Sequence, residues 1–542
     1  MQRDAMLQRL REGDEFDVLV VGGGATGLGA AVEAAARGHR VALIERDDFA
    51  KGTSSRSTKL VHGGVRYLKQ GNVALVRTAL RERGRLLRNA PHLTRNVPFV
   101  IPAFSRWERF FYGAGLKLYG ALAGELSLGA SRCVDRVEAL RLLPTVAAAG
   151  LVGGVVYHDG QFDDARLAIA LAQTAAEQGA VVANYCACTG FIKDAGGRIV
   201  GATVRDYETD EAGGGAGASG SEFTVLAKVV INATGVFVDE LRRLDEAKTS
   251  PLVTVSQGIH VVLPKRFLPG AAALMVPRTA DGRVLFAVPW HDCVVVGTTD
   301  TPVAQAASEP RALDAERAFV MEHAGKYLVE APTGGDVLSV FAGQRPLVRS
   351  LGQGSTASLS RDHTLVVSSG GLVTITGGKW TTYRQMGEEV IDRAESLAGL
   401  TRRVGVGPTV DLRIHGWQEA CGSLVEPSDA NDLRNELGYG CYGSDAAGIH
   451  ALMAQRPELV VSLHPLLGCL RAEVVWHARH EMARTVEDVL ARRTRALLLN
   501  ARASIEAAPV VAALLAGELG RDEAWEQSQV VAYTRLALGY VF

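Results

Sequence analysis

The sequence predicts an α/β fold with three parts: a domain built around a parallel strand-helix-strand unit, an inserted mixed or antiparallel sheet, and a helical C-terminal domain. Two short apolar runs, 18–21 and 41–44, flank glycines and an alanine-rich stretch, an order that is typical of parallel pairing. Several segments of strand length between 155 and 298 predict the inserted sheet. After Arg402 such segments become rare, and apolar residues recur at helical spacing.

The composition is that of a folded protein with several structural units. The chain has 542 residues, of which 47% are hydrophobic and 22% are charged. This length corresponds to roughly three to five folding units. The formal net charge is −1, which provides no global positive field for holding a nucleic acid, and we expect no nucleic-acid partner.

Sequence signals for export and for metal binding are missing. The residues from Met1 to Phe16 carry charges and lack the apolar core of a secretory signal, and no run approaches the ~18 apolar residues of a membrane span. The seven cysteines are scattered without metal-ligand spacing. We therefore expect a cytoplasmic protein with reduced thiols and no metal site.

A dinucleotide-binding motif follows the first predicted strand. Gly22, Gly24 and Gly27 satisfy G-x-G-x-x-G, and Glu45 ends the next strand at the distance expected for a ribose-binding acid. Small residues let the backbone approach a pyrophosphate at the helix N-terminus, and the acid accepts hydrogen bonds from ribose hydroxyls. A glutamate rather than an arginine argues against a 2′-phosphate, which leaves FAD and NAD as alternatives.

The segment 52–68 places hydroxyl groups, a lysine, a histidine and two glycines where the chain would pass beneath the cofactor. Its Ser-rich turn and its His-Gly-Gly and Arg-Tyr motifs resemble the FAD-dependent, respiratory-type (aerobic) glycerol-3-phosphate dehydrogenases. Further motifs in the order of that family lie at 229–235, 289–300, 343–347, 360–364 and 377–384. The resemblance covers Phe16 to Glu389 well and the rest more loosely, and it implies a Rossmann-like FAD-binding domain.

The resemblance also implies a set of cofactor contacts. The segment 229–235 resembles the strand and turn that return to FAD in flavin enzymes of this group. The predicted cofactor-binding residues are Gly22, Gly24, Gly27, Glu45, Thr53, Ser54, Ser55, Ser57, Lys59, Leu60, His62, Gly63, Thr234, Gly235, Gly378, Lys379 and Thr381.

The reaction implied by the resemblance is oxidation of sn-glycerol 3-phosphate at C2 to dihydroxyacetone phosphate, with hydride transfer to FAD and electrons passed on to a membrane quinone. Guanidinium groups suit the phosphate dianion because they form bidentate, charge-assisted hydrogen bonds. The predicted substrate-binding residues are Arg66, Tyr67, His260, Arg345 and Arg361. Arg361 fits an alternative role better than the other arginines do, namely a surface ion pair with the adjoining Asp362.

His62, Arg345 and Lys379 are the predicted catalytic residues. An imidazole titrates near working pH, which makes His62 the leading base for the hydroxyl proton; its alternative is a hydrogen bond to the flavin or to a carbonyl group. His260 is the second choice, although its apolar strand equally predicts a core histidine. Lys379 lies at a predicted helix start, where it would stabilise negative charge on the reduced flavin or the substrate oxygen; its alternative is a solvated helix cap.

One segment bears on localisation. Between Trp107 and Leu122, aromatic residues and leucines lie beside Arg106, Arg109 and Lys117, as in helices that lie on lipid surfaces. The alternative is a core helix with snorkelling basic ends. We expect a protein that is peripheral on the inner face of the membrane, with a quinone and the membrane surface as partners. A homodimer is left open.

The domain boundaries are predicted from the same segments. The Gly-, Ala- and Ser-rich stretch from Glu211 to Ser221 lies between two strand-like runs and is predicted to be a hairpin tip. The divisions are an FAD-binding first part at 16–105, mixed FAD-domain segments with substrate-domain and membrane-facing elements at 106–225, an FAD-binding return strand at 226–250, a substrate-binding domain at 251–355, an FAD-binding last part at 356–400 and a helical C-terminal domain at 408–542.

Three other functions remain open from the sequence. An oxidase of the same fold would pass electrons to oxygen instead of a quinone. Another FAD-dependent amine or hydroxy-acid oxidoreductase would need a carboxylate clamp instead of a phosphate clamp. A non-catalytic FAD-binding module would have lost the ionisable members of the motifs, whereas His62, Arg66, Arg345 and Lys379 are all present.

Overall fold

A computed structural model describes the protein at residues 1–65, 72–208, 221–277, 279, 284–349, 363–402, 404–405, 407–418 and 440–542. The α-helices in these ranges are α1 (Arg3–Arg11), α2 (Ala25–Ala36), α3 (Val73–Asn89), α4 (Arg106–Ala123), α5 (Arg136–Leu142), α6 (Asp164–Glu177), α7 (Val238–Asp245), α8 (Asp314–Tyr327), α9 (Tyr383–Ala398), α10 (Ala446–Gln455), α11 (Arg471–His480), α12 (Ala496–Leu499), α13 (Ala501–Leu519) and α14 (Glu523–Ala537). The strands are β1 (Phe16–Val21), β2 (Val41–Ile44), β3 (Leu60–Val61), β4 (Thr94–Ala103), β5 (Arg132–Asp135), β6 (Gly153–Phe162), β7 (Val181–Ala183), β8 (Cys186–Lys193), β9 (Ile199–Asp206), β10 (Glu222–Asn232), β11 (Val253–Pro264), β12 (Ala273–Val276), β13 (Leu285–Trp290), β14 (Cys293–Gly297), β15 (Thr301–Val303), β16 (Ser339–Val348), β17 (Thr364–Val367), β18 (Val373–Thr376), β19 (Ser462–His464) and β20 (Leu467–Leu470).

The first sheet is organised around parallel strands at its centre. β1 pairs in parallel with β2 and β10, and β2 pairs in parallel with β7, which confirms the predicted strand-helix-strand unit. Val18 and Val20 face a core that α2, α6 and α9 complete. Leu19 and Val21 face the opposite core, which α1 and the antiparallel pair β8–β9 cover. Burial on both faces explains why β1 is apolar at nearly every position.

The second sheet is almost entirely antiparallel. Its strand order is β15-β11-β14-β13-β12-β4-β6-β3, with β16 paired to β11 and β5 paired to β6. The predicted strand segments 253–255 and 260–263 are parts of the single long strand β11. The predicted hairpin tip at 211–221 falls almost wholly outside the described residues, although its flanks β9 and β10 pair antiparallel as expected. The inserted sheet of the predicted fold class is therefore confirmed.

The C-terminal region is helical, with one short hairpin of β19 and β20 and a π-helix at Asp488–Arg493. Its apolar side chains share a core with the second sheet, in which Val489 and Val511 meet Trp290 and Phe341. This part of the predicted fold class is also confirmed. The numbered domain divisions remain predictions.

The predicted amphipathic segment forms helix α4. Leu116 and Tyr119 are buried on its inner side, whereas the side chains of Trp107 and Phe110 are 69% and 65% exposed. Within the described ranges, no helix combines the length and the apolarity that crossing a bilayer requires.

Candidate functional site

A cavity of about 750 Å³ lies between the two sheets. Its wall on the first sheet is formed where the parallel strands β1 and β10 end, at Val21 and Ala233. Its opposite wall includes Phe286 of β13 and Arg345 of β16. Crevices at the carboxyl ends of parallel strands are the usual ligand sites of α/β folds.

The glycine-rich turn leaves room for a phosphate group at the wall of this cavity. Gly22 has a φ of +114°, and a Cβ there would lie 2.7 Å from the Ala233 carbonyl oxygen. Gly24, Ala25 and Thr26 at the start of α2 line the cavity, so the positive end of the helix faces it. A pyrophosphate fits this cradle because backbone amides and the helix dipole both favour an anion.

Glu45 lies beside the glycine-rich turn. Its carboxylate accepts hydrogen bonds from the backbone N–H groups of Gly23 (2.6 Å) and Asp47 (2.9 Å). Burial, followed by the negative charge of Asp47, raises the pKa of Glu45 to about 7. A ribose diol that donates to this carboxylate favours its ionised form.

We predict that affinity for FAD depends on pH through Glu45. Because bound FAD favours the ionised carboxylate and protonation competes with it, affinity should fall as pH drops from about 8 to about 6, by up to roughly tenfold per pH unit below the pKa. The measurement is the dissociation constant of FAD from the apoprotein at several pH values. Glu45→Gln should bind FAD more weakly and independently of pH in this range; an equally steep dependence in that variant would remove Glu45 as its source.

The structure divides the predicted cofactor contacts into two groups. Most of them line the cavity: Gly22, Gly24, Glu45, Thr53, Ser54, Ser57, Leu60, His62, Thr234, Gly235, Gly378, Lys379 and Thr381. The other four, Gly27, Ser55, Lys59 and Gly63, are not among its lining residues. The Lys59 ammonium points the other way, to Asp164 at 2.7 Å, and the Gly63 N–H donates to the Tyr119 hydroxyl at 2.7 Å.

Arg345 lies on the wall opposite the glycine-rich turn. Its guanidinium donates to the Thr299 carbonyl oxygen (3.1 Å) and to the Thr298 hydroxyl (3.2 Å), and it lies 3.7 Å from the Asp300 carboxylate. A Cβ on Gly258 would lie 2.3 Å from the same guanidinium and 2.6 Å from the Thr299 carbonyl oxygen, a backbone atom, so only glycine fits here. These contacts fix the fork of Arg345 in the cavity, where it can bind an anion.

His260 lies next to Arg345 in the wall. Its Nε2 is 2.9 Å from the Thr58 hydroxyl, and its ring stacks on Phe341 with 4.9 Å between centroids. Burial, followed by the charges of Lys59 and Arg345, lowers the pKa of His260 well below its ordinary value. His260 is therefore neutral at physiological pH.

His62 and Lys379 approach the cavity from two different segments. The His62 backbone N–H donates to the Thr381 hydroxyl at 3.2 Å, which ties the end of β3 to the short helical turn that follows Lys379. The His62 ring lies edge-on to Phe286, with centroids 6.5 Å apart. The structure thus places His62, His260, Arg345 and Lys379 around one cavity. Arg66, Tyr67 and Arg361 lie outside the described residues.

Several lining residues were not predicted from the sequence. An apolar arm of the cavity is formed by Val65, Phe99, Tyr157, Met275, Val284 and Phe286. Strand alternation predicts that such side chains are buried, but it does not indicate which of them border a cavity. Thr298, Thr299 and Asp300 lie in a motif of the resemblance, and they could have been found as partners of Arg345 from that motif.

Comparison with known proteins decides the family. The model of a family described as FAD dependent oxidoreductase matches residues 17–384, and that of the C-terminal domain of alpha-glycerophosphate oxidase matches residues 417–526. Mitochondrial glycerol-3-phosphate dehydrogenase of Rattus norvegicus is 38% identical over 98% of this chain and 74% of its own length. The chain belongs to the FAD-dependent glycerol-3-phosphate dehydrogenase family. The mitochondrial enzyme of Arabidopsis thaliana is 40% identical, over 95% of this chain and 85% of its own length.

Solved structures agree with this assignment. The glycerol-3-phosphate dehydrogenase of Bacillus halodurans, complexed with FAD, has a TM-score of 0.77 and 28% identity over 99% of this chain and 97% of its own. The L-alpha-glycerophosphate oxidase of Mycoplasma pneumoniae, at 20% identity and a TM-score of 0.55 over 73% of this chain and 98% of its own, shares the fold. The predicted family, fold class, enzyme class and FAD cofactor are confirmed.

Proposed function

We propose that the protein oxidises sn-glycerol 3-phosphate at C2 to dihydroxyacetone phosphate. The observation that carries this proposal is the single cavity that joins a dinucleotide cradle at Gly22 and Glu45 to the fixed guanidinium of Arg345. A half-buried cation on the cavity wall suits a phosphate ester, and the relatives described above are named for this substrate.

Each cavity residue has a distinct part in the proposed reaction. The chemistry that FAD would supply when bound is acceptance of the C2 hydrogen as a hydride, which carries the two electrons of the oxidation. Arg345 binds the substrate phosphate through charge-assisted hydrogen bonds, with Arg66, Tyr67 and Arg361 as further predicted contacts. His62 takes the C2 hydroxyl proton, with neutral His260 as the alternative base. Lys379 stabilises the negative charge that develops on the substrate oxygen as that proton leaves.

Anaerobic reduction tests the proposal directly. We expect glycerol 3-phosphate to bleach the visible absorbance of the oxidised flavin, while glycerol and a 2-hydroxy acid leave it unchanged because they lack the phosphate. Addition of a quinone analogue should then restore the absorbance faster than oxygen does. A flavin that stays oxidised with the phosphate ester would refute the substrate, and fast reoxidation by oxygen alone would favour an oxidase.

Two features support a quinone acceptor at a membrane surface. The apolar arm of the cavity belongs to a buried cluster that includes Phe99, Met275 and the inner side of α4. An apolar passage of this kind suits a quinone ring better than a charged acceptor. The outer side of α4 exposes Trp107 and Phe110, which are residues that favour the lipid interface.

The helix beside α4 carries exposed arginines. Helix α3 packs beside α4, and its residues Arg77, Arg81 and Arg88 are exposed. Arginines attract anionic lipid headgroups. We therefore place the protein at the surface of a membrane, as a peripheral protein; the inner, cytoplasmic face remains a prediction, and the relatives above are named as mitochondrial. A homodimer remains an open alternative.

We predict that the double variant Trp107→Ser and Phe110→Ser loses most of its binding to vesicles of anionic phospholipid. The two side chains supply much of the exposed apolar area of α4, so partitioning should weaken by at least about tenfold. The measurement is co-sedimentation with vesicles. Leu466→Ser, at an equally exposed leucine of the C-terminal hairpin, is the matched control. Equal loss in both proteins, or loss in neither, would contradict docking through α4.

A further inference from the structure

A cluster of buried charged side chains lies beneath the turn 52–58, part of which lines the cavity. The cluster is formed by Lys59, Asp164 and Arg495, and the proposed chemistry does not use it. Their exposed fractions are 0%, 0% and 1%. Asp164 begins α6, and Arg495 follows the π-helix of the C-terminal region. Three separate parts of the chain therefore meet at one point below the cavity wall.

The hydrogen bonds of this cluster converge on the turn itself. The Asp164 carboxylate accepts from the Ser57 N–H (3.1 Å), the Ser57 hydroxyl (2.7 Å) and the Lys59 ammonium (2.7 Å). The Ser55 carbonyl oxygen accepts from the Lys59 ammonium (2.8 Å) and from the Arg495 guanidinium (2.9 Å). A second contact of the same Arg495 nitrogen, 2.7 Å to Asp164, closes the network.

The backbone shows why the turn needs such support. Lys59 and Arg495 have φ values of +63° and +65°, a left-handed conformation that costs free energy for residues other than glycine. Such conformations persist where the surroundings specify them. The Lys59 ammonium also lies 5.3 Å and 5.2 Å from the ring centroids of Trp290 and Phe341. The Lys59 backbone N–H donates to the Ser57 hydroxyl at 3.0 Å, so contacts hold both the backbone and the ammonium of this residue.

The conformation of the turn determines which of its side chains line the cavity. Ser57 and Thr58 line the cavity, and Thr58 contacts His260. Burial would by itself favour a neutral Asp164, but Lys59 and Arg495 hold the pKa of its carboxyl below the ordinary value. The Asp164 carboxylate therefore stays ionised and accepts the hydrogen bonds of the turn.

The C-terminal region holds the same segment at other points. Arg492 and Arg493 both bind Asp48, and Glu487 pairs with Lys51 at 2.7 Å. Asp48 and Lys51 follow Glu45 in the chain and precede the turn. These pairs show that the π-helix and Arg495 contact the segment 48–57 at several points.

We propose that Arg495 and Asp164 are positioning residues, which hold the turn 52–58 in the conformation that binds FAD and presents Thr58 to His260. The helical C-terminal region is thereby part of the cofactor site rather than an appendage. Its contribution is geometric: neither residue lines the cavity, and both act through Ser55, Ser57 and Lys59. The inference rests on the proposed function only through the bound cofactor.

The experiment compares Arg495→Met with Arg166→Met in the full chain. Arg166 is the matched control, because it lies on α6 two residues after Asp164 and likewise joins this helix to the C-terminal region, through a buried bidentate pair with Glu481 at 2.6 and 2.9 Å. Both variants should lower the melting temperature. Only Arg495→Met should raise the FAD dissociation constant, by about tenfold or more, since it removes one donor from the buried Asp164 carboxylate and one from the Ser55 carbonyl oxygen.

Two further readouts separate positioning from general stability. Arg495→Lys should recover part of the FAD affinity, because it restores the charge but not the planar guanidinium, whose second nitrogen donates to the Ala491 carbonyl oxygen. Flavin reduction by glycerol 3-phosphate should slow in Arg495→Met even when FAD saturates the protein. FAD binding as tight as in the unmodified protein, or an equal loss in Arg166→Met, would overturn the inference. If Arg495→Met does not fold, the FAD dissociation constants of Arg495→Lys and Asp164→Asn test the inference instead: both should be raised.

The readouts also keep this inference separate from the substrate assignment. A protein that binds FAD but is not reduced by glycerol 3-phosphate would refute the proposed function. The FAD dissociation constants of the variants would still decide whether Arg495 positions the turn.

Discussion

Replacing Arg345 with alanine is expected to lower kcat/KM for glycerol 3-phosphate by roughly a hundredfold. Two charge-assisted hydrogen bonds of about 1.5 kcal/mol each, the lower end of the usual range, correspond to about this factor. The loss should be large because Thr298 and the Thr299 carbonyl already fix the guanidinium, so little binding energy is spent on ordering it. Steady-state kinetics with a quinone analogue provides the measurement.

The control for this variant is Arg349→Ala. Arg349 follows the same strand β16, but it is exposed and its guanidinium contacts the Thr254 hydroxyl. Arg349→Ala should retain nearly the full kcat/KM, and both variants should retain the flavin spectrum. If kcat/KM of Arg345→Ala stays within about threefold of the unmodified enzyme, which is less than a single such bond is worth, Arg345 does not bind the phosphate.

The second large effect is expected for Gly22→Ala, which should abolish tight binding of FAD. A Cβ at this position would lie 2.7 Å from the Ala233 carbonyl oxygen and 2.9 Å from its carbon, both backbone atoms that cannot rotate away. The φ of +114° adds a conformational cost for any residue with a side chain. Because β1 and β10 would have to separate, the pyrophosphate cradle should be lost.

The flavin content per chain after purification measures this effect. Gly517→Ala is the control, since a Cβ on this residue of α13 meets nothing within 4 Å; it should retain full flavin content. Retention of FAD at one molecule per chain in Gly22→Ala would show that the strands accommodate the methyl group, and would contradict the steric argument.

The predicted cofactor contacts that lie close together in the chain can be proposed from sequence. The glycine-rich turn, the strand before it and Glu45 lie within about 30 residues of one another, and their predicted roles follow from spacing. The first sheet has the predicted parallel pairing. His62, Arg345 and Lys379 lie in the motifs that carry the resemblance, whereas His260 lies outside them, and the structure places all four around the same cavity.

Lys59 shows where sequence patterns stop being informative. A lysine in a hydroxyl-rich turn was predicted to contact the cofactor, yet its ammonium lies on the far side of the turn beside Asp164. The direction of the side chain depends on the left-handed backbone of Lys59 and on a carboxylate from a distant helix. Neither property is encoded in the spacing of neighbouring residues.

The sequence by itself determined the order of the elements, the cofactor motif and the family, because these depend on residues close together in the chain or on matched motifs. Only the tertiary structure decided which of the buried aromatic side chains border the cavity, which partners fix Arg345, and that Arg495 reaches the cofactor turn. Those contacts join β13, β16 and the C-terminal region to residues far away in the chain. The packing of the two sheets and the helices sets such distances. Hydrophobic periodicity in the sequence predicts which side chains are buried, but not which distant residues they contact.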